Sequence, residues 1–361
     1  MPIDSAISTT VREAAAAFGF CDKIEISRFG KGLINDTFLV QAEEHSPLLL
    51  QKINTNIFPF PLDIQTNYVL LSDYLKQKNY FLPELIKTTD QQLLWTVHGE
   101  AWRAFAFVEN SYSPDPAQTG AGITAVAQCF GQFSTALKDF PAAALKSILP
   151  RFHDLSLRYQ QFEEALNHTR LKVNGELKQV VEQLQHKAAL VKVYQQFQDP
   201  KRFPLHVMHH DCKLSNILFD KNTHQVICPV DLDTVMPGKF YSDLGDMIRT
   251  GCCTVDENST AFDRIDIHTN AYEQLVATYR DATAALFNEE EKAYFSYAGL
   301  LLVYMQALRF LTDHLNGDTY YKVAYPQQNF YRAKNQLLLL LKLEDYLLAS
   351  GGLKQPYPAE K

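Results

Sequence analysis

HHDCKLSNILFDKNTHQVICPVDLDTVMPGKFYSDLGDMIR, residues 209–249, sets an aspartate, an asparagine and a second aspartate in the order that metal-dependent phosphoryl transfer needs. Asp211 is followed five residues later by Asn216, and Asp231 comes fifteen after that, so the stretch reads H-x-D-x-x-x-x-N and then an acid. The chemistry explains the residue types. One carboxylate must accept the proton of the attacking hydroxyl, while an amide oxygen and a second carboxylate hold the metal that neutralises the phosphates. Asp211 is the candidate base, and Asn216 and Asp231 are the candidate metal ligands. The short pattern alone recurs by chance, but apolar segments on both sides of it (NILF, then VICPV) make it far more specific. The competing reading is two acidic turns capping short strands.

Working outward, the first 110 residues carry short apolar, β-branched or aromatic segments at 23–30, 34–40, 47–53, 92–98 and 101–108, bounded by turn residues. They read as five strands of an antiparallel sheet. A helical face at 64, 68, 71 and 75 marks a helix over 62–78 between the third and fourth strands. The polar, proline-bearing SYSPDP that follows Asn110 reads as a connector. Beyond it helices are expected at 121–138, 154–167, 175–198, 266–287, 289–315 and 326–349, with short strands near 206–208, 217–219 and 225–230. The expectation is an α+β, bilobal protein-kinase-like fold. Its small antiparallel-sheet lobe would cover 1–110 and its large, mainly helical lobe 111–361.

The remaining parts of a nucleotide site have candidates in the first lobe. Gly30 and Gly32, between the first two strands, allow backbone to approach phosphate oxygens closely; a two-glycine hairpin turn is the alternative. Lys52, after an apolar run in the third strand, is placed for the α- and β-phosphates. The next helix offers it no glutamate, only Asp63 at its start and then Gln65, Thr66 and Asn67. Either Asp63 reaches Lys52 or that ion pair is missing. Backbone groups from Phe107 through Glu109 to Asn110 could pair with an adenine edge. Asp233, two residues past Asp231, is a further ligand or a substrate acceptor, while Asp243 is expected to cap a helix and brace the catalytic loop. His209 reads as a loop brace, Cys212 as inert, and His153 and Arg158 as solvated helix positions or polar substrate contacts.

Composition excludes other classes. Hydrophobic residues at 46% and charged residues at 21% describe an ordinary globular chain, and a net charge of −7 argues against general nucleic-acid binding. The six cysteines form no C-x-x-C pair, so a structural zinc site is not expected. The opening residues lack a basic leader and the leucine run at 337–341 is too short to span a membrane. A cytoplasmic protein acting on small molecules, with no evident partner protein, is the expectation.

Four strings together, GKGLINDTF, LQKIN, WR with FVENS, and DLDTVMPG, resemble the N-acetylhexosamine 1-kinases. These are a branch of the aminoglycoside phosphotransferase-like superfamily, and the resemblance runs from about residue 25 to 335. It implies ATP and Mg²⁺ as cofactors and phosphorylation of the anomeric hydroxyl of N-acetylglucosamine or N-acetylgalactosamine. It also implies that Asn35 and Asp36 lie near the sugar and that Arg309 and Tyr320 contact it. Leu33 stands where that family often has histidine, and Thr66 where the helix acid is expected. A kinase for another sugar, an amino alcohol or an aminoglycoside is the alternative; Asp313, Asp318 and Tyr321 are the residues from which a cation box would have to be built. A protein kinase fits less well, because Leu-Asp rather than Phe-Gly follows Asp231. A catalytically silent nucleotide-binding module is the reading from another class.

Overall fold

Strands form where apolar residues alternate and helices where they recur every three to four positions. The computed structural model describes residues 5–30, 34–114 and 122–353. Gly32, Leu33 and the connector residues from 115 onward lie outside the described residues. The chain opens with α1 (Ser5–Ala17), β1 (Ile24–Arg28), β2 (Asp36–Ala42), β3 (His45–Ile53) and α2 (Pro61–Lys76). Then come β4 (Leu85–Ile86), β5 (Trp95–Val97), β6 (Glu100–Ala106) and β7 (Ser111–Tyr112). The helical stretch follows: α3 (Ile123–Ala136), α4 (Leu155–His168), α5 (Gly175–His186) and α6 (Ala189–Gln196). Four short strands come next, β8 (His206–Met208), β9 (Ile217–Asp220), β10 (Val226–Pro229) and β11 (Met236–Gly238). The chain finishes with α7 (Tyr241–Gly251), α8 (Thr269–Ala282), α9 (Glu289–Ala293), α10 (Phe295–Leu315) and α11 (Gln328–Ala349).

Two compact units result. The first holds the chain up to Ser113 together with 144–149 and 218–236; the second holds 114–143, 150–217 and everything from 237. In the first, β1-β2-β3-β6-β4 form an antiparallel sheet with β5 also on β6, six strands where the sequence suggested five. The extra one, β4, is two residues long, too short to show a period. Val11, Ala14 and Phe18 bury against Phe38, Val40, Leu48, Leu50 and Trp102. The face expected for α2 is the one it buries: Ile64, Tyr68, Leu71 and Leu75.

The second unit is built around α10, which packs against α4, α7 and α11. Among the described residues α10 is the one helix long and apolar enough to cross a membrane, and most of it is buried inside this unit. Two glycines set the close helix crossings. A Cβ on Gly245 of α7 would sit 2.4 Å from the carbonyl oxygen of Ala298, and one on Gly299 would sit 2.7 Å from Ile248. The sequence reading joined α9 to α10 and α5 to α6, and gave α7 no range, expecting only a helix capped by Asp243. The α9 start is marked by a capping box, in which Asn288 accepts from the Glu291 N–H and Glu291 accepts from the Asn288 N–H.

Candidate active site

In the second unit, the segment after β8 is held by its backbone rather than by its side chains. Asp243 and Asp246 lie three apart on α7 and so share a face. Asp243 accepts the N–H of His209 at 2.9 Å and of His210 at 2.8 Å, and Asp246 accepts the N–H of Cys212 at 2.8 Å. Asp243 therefore does brace the loop, but from inside the first turn of α7, whose N-cap is Phe240, so it is not the helix cap expected. Burial raises its carboxyl to about 6 despite those two N–H groups. Burial also raises Asp246, opposed by Arg249, which bonds it through two nitrogens and reaches Glu257 with a third.

These anchors force His210 into the left-handed region at φ +66, with Gly238 against its ring; a Cβ there would lie 2.5 Å from His210 Cε1. His209 is buried edge-on between Phe130 and Phe133, and its Nδ1 accepts the Asp211 N–H at 3.3 Å. It packs and braces as expected. Cys212 is fully buried and its thiol is pushed up by that burial.

Asn216 folds back on Asp211. Its Nδ2 donates to the Asp211 carbonyl at 3.0 Å and to Oδ2 at 2.9 Å, and Lys213 Nζ reaches the same Oδ2 at 2.7 Å. Burial works to raise the Asp211 carboxyl, but Lys213, His209 and Asn216 overcome it and hold the group below the ordinary aspartate value. Asp211 is thus ionised at neutral pH. Its Oδ1, and the Oδ1 of Asn216, accept no hydrogen bond among the described residues. An amide oxygen suits a hard cation. One amide with one carboxylate is the small protein share that Mg²⁺ takes when phosphates and water complete its shell.

Beside Asp211 lies a cavity of about 70 Å³, space for a few water-sized groups. Its polar walls are His153, His210, Asp246, Arg249, Gln306 and Arg309. His153 is therefore a cavity residue rather than a solvated helix position, and it stacks on Phe152 at 4.6 Å. Arg309 sits 5.3 Å from the Phe152 ring centre, 5.9 Å from Tyr320 and 5.6 Å from Tyr321, and forms no ion pair among the described residues. Arg158 lies outside this wall, bonded to Gln161 and to the carbonyls of Arg151 and Phe152.

In the first unit, Lys52 has a carboxylate after all, and it is neither Asp63 nor another helix residue. Lys52 Nζ pairs with Glu100 on the neighbouring strand β6. Gly30 takes φ +73. Phe107 donates its N–H to the Pro47 carbonyl and packs edge-on against Phe29, while Glu109 is exposed. Asp231 is exposed and left-handed at φ +59, opening the 3-10 turn Leu232–Thr234. Asp233 is buried instead: Arg103 meets its two oxygens at 2.6 and 2.9 Å, and Asn35 Nδ2 adds a bond at 2.8 Å. Asn35 accepts the Asn54 N–H through its own oxygen, and Asp36 pairs with exposed Arg28. Glu100 escaped the sequence reading, and Arg103 entered it only within the WR string, with no role given. The available signal for Arg103 was an arginine inside the apolar run AWRAFA.

A sheet unit carrying a paired strand lysine and a helical unit carrying a braced H-x-D-x-x-x-x-N loop define a kinase-like phosphotransferase. Residues 25–291 match the phosphotransferase enzyme family (APH), and the chain belongs to that family. Its fold is similar to a microcompartment-associated aminopropanol kinase, at 17% identity over 96% of this chain and 99% of the other, with a TM-score of 0.66. It is also similar to choline kinase from Cryptosporidium parvum Iowa II, at 13% identity, 97% and 98% coverage and TM-score 0.60. Amicoumacin kinase hAmiN, solved with AMP-PNP, Ca²⁺ and amicoumacin, matches at 12% identity, 94% and 93% coverage and TM-score 0.60.

Proposed function

We propose that this phosphotransferase is an ATP- and Mg²⁺-dependent small-molecule kinase that phosphorylates the anomeric hydroxyl of an N-acetylhexosamine. The observation that carries the substrate class is the wall facing Asp211. Arg309, which forms no ion pair among the described residues, brings a positive charge to that wall, while Asp246 is already paired with Arg249. Such a wall suits hydroxyl and carbonyl oxygens of a neutral sugar and repels a cationic amino alcohol. The anomeric position rests on the resemblance of DLDTVMPG, Arg309 and Tyr320 to the N-acetylhexosamine kinases.

In this reading Asp211 Oδ1 accepts the hydrogen bond of the sugar hydroxyl, orients it for in-line attack and takes its proton. Asn216 keeps Oδ2 in place and offers its own Oδ1, with Asp231, to Mg²⁺. The bound ion supplies charge neutralisation on the phosphates. Lys52 would add positive charge at the nucleotide, oriented by Glu100, with Gly30 beside the phosphates and the segment from Phe107 to Glu109 beside adenine. Asn35 and Asp36 are the residues that the resemblance assigns to the sugar, and Asp233, held by Arg103, fixes Asn35. Catalysis is then positioning plus electrostatics.

The experiment is Mg-ATP turnover against N-acetylglucosamine, N-acetylgalactosamine, glucose, galactose, choline, aminopropanol and an aminoglycoside, with phosphorus NMR of the product. An anomeric phosphate on an N-acetylhexosamine is expected, and Asp211→Asn should lower kcat by about 10²-fold or more while ATP still binds. Transfer only to a cationic acceptor overturns the substrate class. Nucleotide binding with no transfer to any acceptor points to a silent module.

A further inference from the structure

The loop after α10 carries both tyrosines that face Arg309, and one carboxylate accepts three of its backbone N–H groups. Gly317 at φ +87 and Asp318 at φ +58 reverse the chain immediately after the helix. Asp313, one turn beyond Arg309 on α10, then accepts the N–H groups of Thr319 at 3.0 Å, Tyr320 at 2.7 Å and Tyr321 at 2.9 Å. A fourth donor, Asn329 Nδ2, reaches it at 2.9 Å and also bonds Asp318. Asp313 is only 4% exposed and Asn329 fully buried, so the carboxylate is saturated and unavailable to a cationic ligand. Downstream, the Tyr321 hydroxyl accepts from Gln306 Nε2, and Gln306 Oε1 accepts from Arg309. Gln306 and Arg309 line the cavity with Asp211; Asp313 does not.

We infer that Asp313 is a positioning residue for acceptor recognition, which folds loop 317–321 so that Tyr320 and Tyr321 fix the Arg309 guanidinium toward the acceptor. This rests on the acceptor occupying the cavity beside Asp211, as in the proposed function. The chemistry is specific to a carboxylate. An amide in its place has one accepting oxygen, and its NH₂ would face a backbone N–H, so donors among the four are left unsatisfied. The loop then loses its fixed path, and Arg309 loses two of its three aromatic neighbours, keeping Phe152, without any change at the Asp211 loop.

The test compares wild type, Asp313→Asn and Arg309→Lys on whichever panel acceptor the wild type phosphorylates. Asp313→Asn should raise the acceptor KM about tenfold or more while kcat and the KM for ATP change less than about twofold. Combining it with Arg309→Lys should cost less than the product of the two single effects, because both act through one guanidinium. A folded variant with unchanged acceptor KM overturns the inference and leaves the proposed function standing; so does an equal loss in kcat and both KM values. Transfer to an amino alcohol with the same KM split overturns the N-acetylhexosamine reading and supports Asp313. No transfer to any acceptor overturns both.

Discussion

Asp211 is a base made weaker by its own surroundings. Lys213 lies 2.7 Å from Oδ2 and holds the carboxyl down, which keeps it ionised but lowers its proton affinity. A depressed aspartate is protonated only as pH falls through its folded value, so the stability it lends is present above the ordinary aspartate range and lost below it. Lys213→Ala removes the opposing charge, so the acid limb of kcat/KM should move to higher pH, read from a pH–rate profile on the identified acceptor. An unmoved limb would mean that another group sets it. At this scale the sequence is most informative where partners are neighbours in the chain. A spacing of five brings Asn216 back onto Asp211, and a pattern can show that. Glu100 as the partner of Lys52 is invisible to such a pattern. Lys52 lies opposite Trp102, so Glu100 is its diagonal neighbour across β3 and β6, a relation fixed only by strand register.

Among the elements, the strands and the longer helices follow their apolar periods. Helix α7 has that rhythm too, apolar at 241, 244, 247 and 248 with Asp243, Asp246 and Arg249 between, but it is only three turns long and Gly245 lowers its propensity. The reading of 266–287 as one helix similarly overran both ends of α8, the least certain part of any periodic pattern. Strand β6 carries the most buried ion pair of its unit, Arg103 at 2% and Asp233 at 5% side-chain exposure. Removing one partner leaves a buried charge alone, so Arg103→Met should destabilise by about 3–5 kcal/mol. The double variant Arg103→Met with Asp233→Leu should recover much of that loss. Urea unfolding of the three proteins checks this; equal costs for single and double variants would show that the pair contributes through packing alone.

For the whole molecule, the fold class was legible because the two halves differ in texture and one 41-residue stretch carries a pattern with few chemical meanings. Family membership over 25–291 agrees with that reading. The acceptor was less legible, since the wall around Asp211 gathers side chains from positions 153, 210, 246, 249, 306 and 309, which no local pattern connects. One of them contributes to acid behaviour. Burial, reinforced by His210, Arg309, Arg249 and Arg158, holds His153 well below 6.5, so it is neutral when folded. The unfolded chain takes up a proton near 6.5 that the folded one refuses, so this contribution is intact above that pH and lost as pH falls below it. His153→Gln should flatten the fall in urea midpoint between about pH 7 and about pH 5; an unchanged slope would place the acid sensitivity elsewhere.

Gly245 touches nothing that reacts, yet α7 lies against the Ala298 carbonyl only because that position has no side chain. The same helix supplies Asp243 and Asp246, whose oxygens hold residues 209 to 212. In the language of inheritance, position 245 tolerates one letter. A lineage that accepted even a methyl there would move the helix, and with it the loop, and would record as a loss of chemistry what began as a crowded crossing.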